Sequence, residues 1–298
     1  MSKPKILIQF DPDPHASTFD SIVAIDAGVD QLLTQALVTP SQVEGLVHGA
    51  MFTRGPKDLK STALFFGGSD VGKTEALVEA AKKCFFGPMR VSILADPNGC
   101  NTTASAAVIC AEEHIQWKEK TVTVLAGTGP VGQRVAQIIA GPATPNSDAT
   151  TIRVCSRSIE KAQTICEQLA AKSKGEKTGK FVATQTANTE ESLTAISDAD
   201  AVFACGAAGI ELLPESWHQS TSAAVAIDLN AVPPAGIAGI GVTDTANQIE
   251  STICYGAIGV GGLKMKIHRR AIEMLFESND QVLELEQVYR IGKETFSG

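Results

Sequence analysis

Thr121-Val-Thr-Val-Leu-Ala126-Gly127-Thr128-Gly129-Pro130-Val131-Gly132 decides the fold. Residues Thr121–Ala126 are β-branched and apolar and read as a buried strand. A GxGxxG pattern follows at once, and the spacing of Gly132–Ala140 predicts a helix. In that setting the first glycine permits a tight turn, and the second lets backbone approach a pyrophosphate. The third lets the helix pack close to the strand. Amide groups at the helix start then face the phosphate charge. Gly127, Thr128, Gly129, Pro130, Val131 and Gly132 are therefore candidate cofactor-binding residues. The plainer alternative is a tight strand-to-helix turn with no ligand.

The next strand, Thr151–Cys155, refines the cofactor. An NAD site usually ends this strand in a carboxylate that accepts from the ribose 2′-hydroxyl. Here the strand runs into Ser156-Arg157-Ser158, with no acid. A carboxylate would repel a 2′-phosphate, whereas a guanidinium can bond it through two parallel N–H groups. Arg157, with Ser156 or Ser158, points to NADP. Asp148 precedes the strand and reads as a turn residue.

Strand-like and helix-like segments alternate on both sides of this unit, which implies parallel sheets with crossover helices. Upstream, Lys5–Phe10, Ala63–Phe66 and Val91–Ala95 read as strands. Phe19–Leu33, Thr74–Phe85 and Asn101–Glu113 read as helices. A polar hinge, Gln116–Lys120, separates the two series. Downstream, Ile159–Lys172 is a helix, and Phe181–Thr184, Ala201–Ala204 and Ala223–Asp228 are strands. Helices at Met265–Ser278 and Leu283–Thr295 close the chain, while 141–148 and 173–180 read as surface loops.

Composition bounds the function. At 298 residues there is room for two cores, and 44% hydrophobic with 19% charged residues describes an ordinary globular protein. The net charge of −8, without a basic stripe, argues against nucleic acid as a partner. No apolar run reaches the roughly 20 residues of a membrane span. The start, Met1-Ser-Lys-Pro-Lys, enters a strand directly and lacks a signal peptide's apolar region. Seven scattered cysteines without a CxxC pair imply reduced thiols, a cytoplasmic location and no zinc site. The histidines His15, His48, His114 and His218 are equally dispersed, so no metal is expected.

A second glycine loop competes. Gly67-Gly-Ser-Asp-Val-Gly72-Lys73-Thr74 satisfies the phosphate-loop pattern GxxxxGK[ST] between a strand and a helix. With Asp96 as a magnesium-holding partner, it would suit an NTPase or kinase. Exposed placement of Lys73 in a first helical turn is the bland alternative.

From Gln9-Phe10-Asp11 to Phe276-Glu-Ser278 the chain resembles the NADP-dependent methylene-tetrahydromethanopterin dehydrogenases of one-carbon metabolism. Early segments that carry the resemblance are Phe19-Asp20, Phe52-Thr-Arg54-Gly55, Lys82–Pro88 and Asp96-Pro-Asn-Gly-Cys-Asn-Thr-Thr103. Later ones are Leu125–Gly132, Asn230–Gly239 and Gly256–His268. The family's first glycine loop looks like Gly-Gly-Gly-Asp without Lys-Thr, so the phosphate-loop match here is a departure. A looser similarity links Asn230–Gly239 to the nicotinamide-side loop of methylene-tetrahydrofolate dehydrogenases, which makes Asn230 a further cofactor candidate.

The resemblance implies a fold of two α/β domains. The N-terminal substrate domain, 1–117, is completed by C-terminal helices at 256–298, and a Rossmann NADP-binding domain at 118–255 is inserted. It implies hydride transfer from the methylene carbon of a reduced pterin to the nicotinamide, in a homo-oligomer, with the substrate between the domains. Such a transfer takes no proton from carbon, so orientation is the main requirement. Asp20, Asp96, Thr102 and Thr103 lie in the segments matching the substrate half and are the substrate-binding candidates. A helix cap is the alternative for Asp20 and for Asn101-Thr102-Thr103, and an Asx turn for Asp96. Lys264 and Lys266 are the catalytic candidates, as substrate-positioning groups. At i and i+2 they cannot share a helix face. His268 reads as a packed or exposed side chain. A shikimate-type Rossmann reductase or a non-enzymatic NADP sensor would present the same glycine turn, so both compete with the pterin dehydrogenase.

Overall fold

A computed structural model of the chain describes residues 3–144, 149–173 and 179–297. The loops expected at 141–148 and 173–180 lie partly, and Asp148 wholly, outside the described residues. The chain is a two-domain α/β protein, with compact units Met1–Thr102 plus Met265–Gly298, and Thr103–Lys264.

The first unit is built on β1 (Ile6–Phe10), β2 (Gln31–Gln35), β3 (Thr62–Phe66), β4 (Ser92–Ala95) and β12 (Val282–Leu283). They form one sheet in the order β12-β4-β3-β1-β2, and every pair is parallel. The chain builds outward from β1 in both directions, so the β1/β3 boundary is the topological switch point of this sheet. Helices α1 (Thr18–Asp26), α2 (Pro40–Met51) and α3 (Val71–Lys83) are the crossovers, and α4 (Cys100–Glu112) leads from β4 into the second unit. Local side chains start three of them: the Ser17 hydroxyl accepts from the Asp20 amide, Gln42 accepts from the Thr39 amide, and the Asp70 carboxylate accepts from the Lys73 amide. The core packs Phe10 edge-on against Phe66, with ring centroids 5.1 Å apart, among buried Val47, Met51, Leu64, Leu77 and Ile93.

The segment expected to be one helix over Phe19–Leu33 is instead the nine-residue α1 followed by β2. Gly28 adopts φ +79° and its N–H bonds the Ile25 carbonyl, which ends the helix. Residues Gln31–Gln35 then find hydrogen-bonding partners on β1, with Ile6 opposite Gln31. Apolar spacing within the segment cannot reveal that pairing, because the partner lies 25 residues away.

The second unit carries β5 (Thr121–Leu125), β6 (Thr151–Ser156), β7 (Lys180–Gln185), β8 (Ala201–Ala204), β9 (Val225–Asp228), β10 (Asn247–Ile249) and β11 (Thr252–Tyr255). Their order is β10-β11-β9-β8-β5-β6-β7, parallel except for β10. That is a doubly wound sheet whose switch point lies between β5 and β8. Its helices include α5 (Pro130–Ala140), α6 (Ile159–Lys172) and α7 (Thr189–Ile196). Helix α8 (Ala257–Met274) leads out of this unit, and α9 (Leu285–Ser297) ends the chain. The unit boundaries thus fall inside α4 and α8.

Helix α8 starts eight residues before the expected Met265, within the glycine run. Those glycines serve contact rather than interruption. A Cβ on Gly256 would stand 2.0 Å from the Gly241 carbonyl oxygen, and one on Gly259 1.8 Å from that of Asp244. Among the described residues no helix is long and apolar enough to cross a membrane.

The glycines of the β5–α5 turn differ in the same way. A Cβ on Gly132 would lie 2.6 Å from the Gly127 Cα, whereas one on Gly129 meets nothing closer than 3.4 Å. Gly132→Ala is therefore expected to cost about 1–3 kcal/mol of stability, as overpacking does. Gly129→Ala should leave the urea midpoint nearly unchanged. Equal midpoints for the two variants would refute this distinction.

Candidate active site

In the second unit the residues after β5, β6, β8 and β9 gather at one edge of the sheet. The turn after β5 is set by Ala126 at φ +52°, and the Gly127 amide bonds the Cys155 carbonyl at 2.9 Å. Gly127 has no room for a side chain, since a Cβ would stand 2.7 Å from the Val124 carbonyl oxygen. Gly129 is the N-cap of α5 and Pro130 its first residue, with no side chain capping the helix. The helix start therefore offers open amides at Val131 and Gly132. Gln133 Nε2 donates to the Thr128 carbonyl at 2.8 Å, which holds the loop in shape. An uncapped helix start beside a glycine whose Cβ would make only ordinary contacts, from 3.4 Å outward, fits a pyrophosphate.

Ser156 ends β6, and Arg157 and Ser158 follow it beside this turn. Ser156 is buried and its hydroxyl accepts from the Ser158 amide at 3.3 Å. Ser158 caps α6 by accepting from the Lys161 amide at 3.1 Å. Arg157 is exposed and makes no hydrogen bond or ion pair among the described residues, which leaves its guanidinium open to an anion.

Asn230 lies just past β9, where its side chain is drawn into the following loop. Its Nδ2 donates to the Pro234 carbonyl at 2.8 Å and its Oδ1 accepts from the Val232 amide at 3.0 Å. The Pro233–Pro234 bond is cis. Beneath the loop, buried Asp228 accepts from the amides of Asn230, Gly236 and Ile237 at 3.0, 2.7 and 3.1 Å. Burial nevertheless pushes its carboxyl above the usual range, against those three bonds. Cys205, the first residue after β8, has its thiol pushed up by burial and then by Asp228. Such a thiol is no nucleophile at neutral pH.

In the first unit Asp11, Gly67 and Asp96 are the first residues after β1, β3 and β4. Asp11 is buried and accepts from the amides of Asp13 and Ser17 at 2.9 and 3.1 Å, while burial raises its carboxyl pKa. Asp20 is also buried, in the first turn of α1. A Cβ on Gly67 would lie 3.3 Å from Asp20 Oδ2 and 3.8 Å from Asp11 Oδ2, so two carboxylates converge at this switch point. Asp96 and Thr102 are brought together: Asp96 accepts from Thr102 Oγ1 at 2.6 Å and from the Asn101 and Thr102 amides at 2.8 and 3.2 Å. The carboxylate thus starts α4 across the 3-10 turn Pro97–Gly99. Thr103, next along the helix, is half-buried.

Residues 67–74 do not form a phosphate cradle. Asp70 caps α3, placing a carboxylate where a phosphate would meet the helix amides. The buried Thr74 hydroxyl donates to the Gly67 carbonyl at 2.6 Å, and Lys73 is exposed, 3.8 Å from Asp70. Lys264 is half-buried and Lys266 exposed on α8, roughly 200° apart around the helix. His268 is fully buried and stacks on Phe65 with centroids 5.7 Å apart. No group of three or more potential metal ligands occurs among the described residues.

Two residues escape a reading by pattern alone. Asp11 follows β1 and Asp228 ends β9; the fold sets Asp11 near Asp20 at Gly67 and brings the Gly236 and Ile237 amides back onto Asp228. A buried-strand pattern that runs into Asp is the one available signal. It is present at Phe10-Asp11 and Ile227-Asp228.

Residues 18–98 match the family described as methylene-tetrahydromethanopterin dehydrogenase, N-terminal. The chain is 41% identical over 297 residues to the bifunctional protein MdtA of Methylorubrum extorquens, covering 99% of each. It is 31% identical over 299 residues to that organism's NAD(P)-dependent methylenetetrahydromethanopterin dehydrogenase, covering 97% of this chain and 98% of the relative. The fold is shared with shikimate 5-dehydrogenase of Listeria monocytogenes, at a TM-score of 0.55, 12% identity and coverage of 97% and 96%. On full-length identity and a doubly wound unit with an open glycine turn, the chain belongs to the methylene-tetrahydromethanopterin dehydrogenase family.

Proposed function

We propose that the protein oxidises methylene-tetrahydromethanopterin to the methenyl form with NADP as hydride acceptor, in one-carbon metabolism. The observation that carries this reading is the 31% identity, along nearly the whole chain, to a relative named for that reaction. The second unit takes NADP and the first unit takes the pterin. NADP, when bound, supplies the nicotinamide carbon that receives the hydride.

The chain's own residues bind and orient. Amides of Val131 and Gly132 face the pyrophosphate across Gly127, Thr128, Gly129 and Pro130. Arg157 pairs the 2′-phosphate, with Ser156 and Ser158 beside it. Asn230 holds the loop at 230–237 in shape from within, which suits a nicotinamide-side wall. Asp20 and Thr103 meet the pterin's amide and amino groups, while Asp96 and Thr102 fix the first turns of α4. Carboxylates near the reacting carbon favour the positive charge that develops as the methenyl product forms. Of Lys264 and Lys266, which point in opposite directions around α8, one positions the substrate at a distance from that charge. The protein acts in the cytoplasm, a reading supported by seven cysteines without a disulfide. It assembles as a homo-oligomer, which accords with exposed Phe19, Ile22 and Ile25 along α1.

A phosphate-loop NTPase is disfavoured by the Asp70 cap and the inward Thr74 hydroxyl.

With methylene-tetrahydromethanopterin, NADP should be reduced rapidly, as followed by the absorbance of the reduced nicotinamide. NAD and methylene-tetrahydrofolate, run in parallel, define the range. Folded protein that binds NADP yet reduces neither cofactor with either pterin would refute the reaction.

Arg157→Ala should weaken NADP binding by roughly 10- to 100-fold, the worth of a charge-assisted pair, and change NAD binding little. Lys73→Ala should change neither. A large loss of NADP affinity in Lys73→Ala would overturn the assignment of the two glycine loops.

A further inference from the structure

The first turn of α6 holds a feature that the NADP assignment leaves unused. Ser158 Oγ donates its proton to Glu160 Oε2 at 2.7 Å while accepting the Lys161 amide. Glu160 is exposed, and this bond holds its carboxyl below the usual range, so it is ionised at neutral pH. An anionic acceptor is therefore tethered to one of the residues that face the 2′ position of the ribose. The charged groups of this turn are Arg157, Glu160 and Lys161.

The two cofactors meet this arrangement differently. A 2′-phosphate approaching Arg157 finds the Ser158 hydroxyl proton directed at a carboxylate, and that carboxylate repels it. Either Glu160 turns away and its bond is lost, or the phosphate goes without the hydroxyl. A ribose 2′-hydroxyl, by contrast, is a donor, and a carboxylate beside it is the acceptor that the end of β6 otherwise lacks. Glu160 thus opposes NADP and tolerates or aids NAD, whereas Arg157 favours NADP.

Building on the NADP assignment of Ser156–Ser158, we propose that Glu160 sets the NADP-to-NAD preference by competing with the 2′-phosphate for Ser158. The residue is a specificity determinant, not a catalytic group.

Dissociation constants of NADP and NAD for the intact protein, Glu160→Gln and Arg157→Ala, by titration calorimetry at low and high salt, test it. The glutamine oxygen still accepts from Ser158, so the α6 cap is retained. Glu160→Gln should tighten NADP about two- to fivefold, the range for an exposed charge interaction, and leave NAD unchanged or weaker. The gain should shrink as salt screens the repulsion. Glu160→Ala, which also frees the Ser158 hydroxyl, should raise the ratio at least as far. If Arg157→Ala weakens NADP but both Glu160 variants leave the ratio unchanged or lower, the Glu160 inference falls alone. If Arg157→Ala leaves NADP affinity intact, the NADP assignment itself falls and the inference with it.

Discussion

The second unit depends on a backbone contact that permits no side chain. A Cβ on Gly132 would stand 2.6 Å from the Gly127 Cα, and one on Gly127 2.7 Å from the Val124 carbonyl oxygen. That closeness brings the start of α5 directly onto the end of β5. The helix then buries Val135, Ile138 and Ile139, and β5 sits centrally with β6 on one side and β8 on the other. Gly129, where a Cβ would meet nothing closer than 3.4 Å, is not needed for this packing. A glycine that packing does not demand, at an uncapped helix start, is a place kept open for a ligand.

Both units place their distinctive residues at the C-terminal edge of a parallel sheet, yet with opposite electrostatics. In the second, glycines, bare amides and Arg157 make a site suited to anions. In the first, Asp11 and Asp20 converge on Gly67, and Asp70 caps α3. The phosphate-loop pattern at Gly67–Thr74 is thus reproduced in letters only. Its Lys73 amide is satisfied from within by Asp70, and that carboxylate stands where an incoming phosphate would have to sit. A substrate that gains positive charge on oxidation suits such an edge far better than a nucleoside triphosphate.

Some elements could be read residue by residue and others could not. The strand-turn-helix at Thr121–Ala140 was legible because its strand pattern, glycines and helix spacing are contiguous. Ile159–Lys172 matched to the residue, since Ser158 caps it three positions from the amide it bonds. The stretch Phe19–Leu33 misled because its apolar residues suit a helix, while β1 recruits its second half as an edge strand. The glycines before Met265 misled for the opposite reason. They read as a break in the chain, but the backbone of residues 241–245 comes so near that only glycine can continue the helix.

What the sequence determined by itself is local in origin. Turn geometry, helix caps, strand composition and the absence of an acid after β6 all act within a few residues, so the letters suffice. The tertiary structure alone decided what depends on distant partners. It brought Asp228 under the amides of Gly236 and Ile237, and it set Asp11 and Asp20 together at Gly67. It also separated two glycine loops that look alike in sequence, because an anion site requires unsatisfied amides. Whether an amide is already satisfied depends on where a neighbouring side chain turns, which no pattern of letters records.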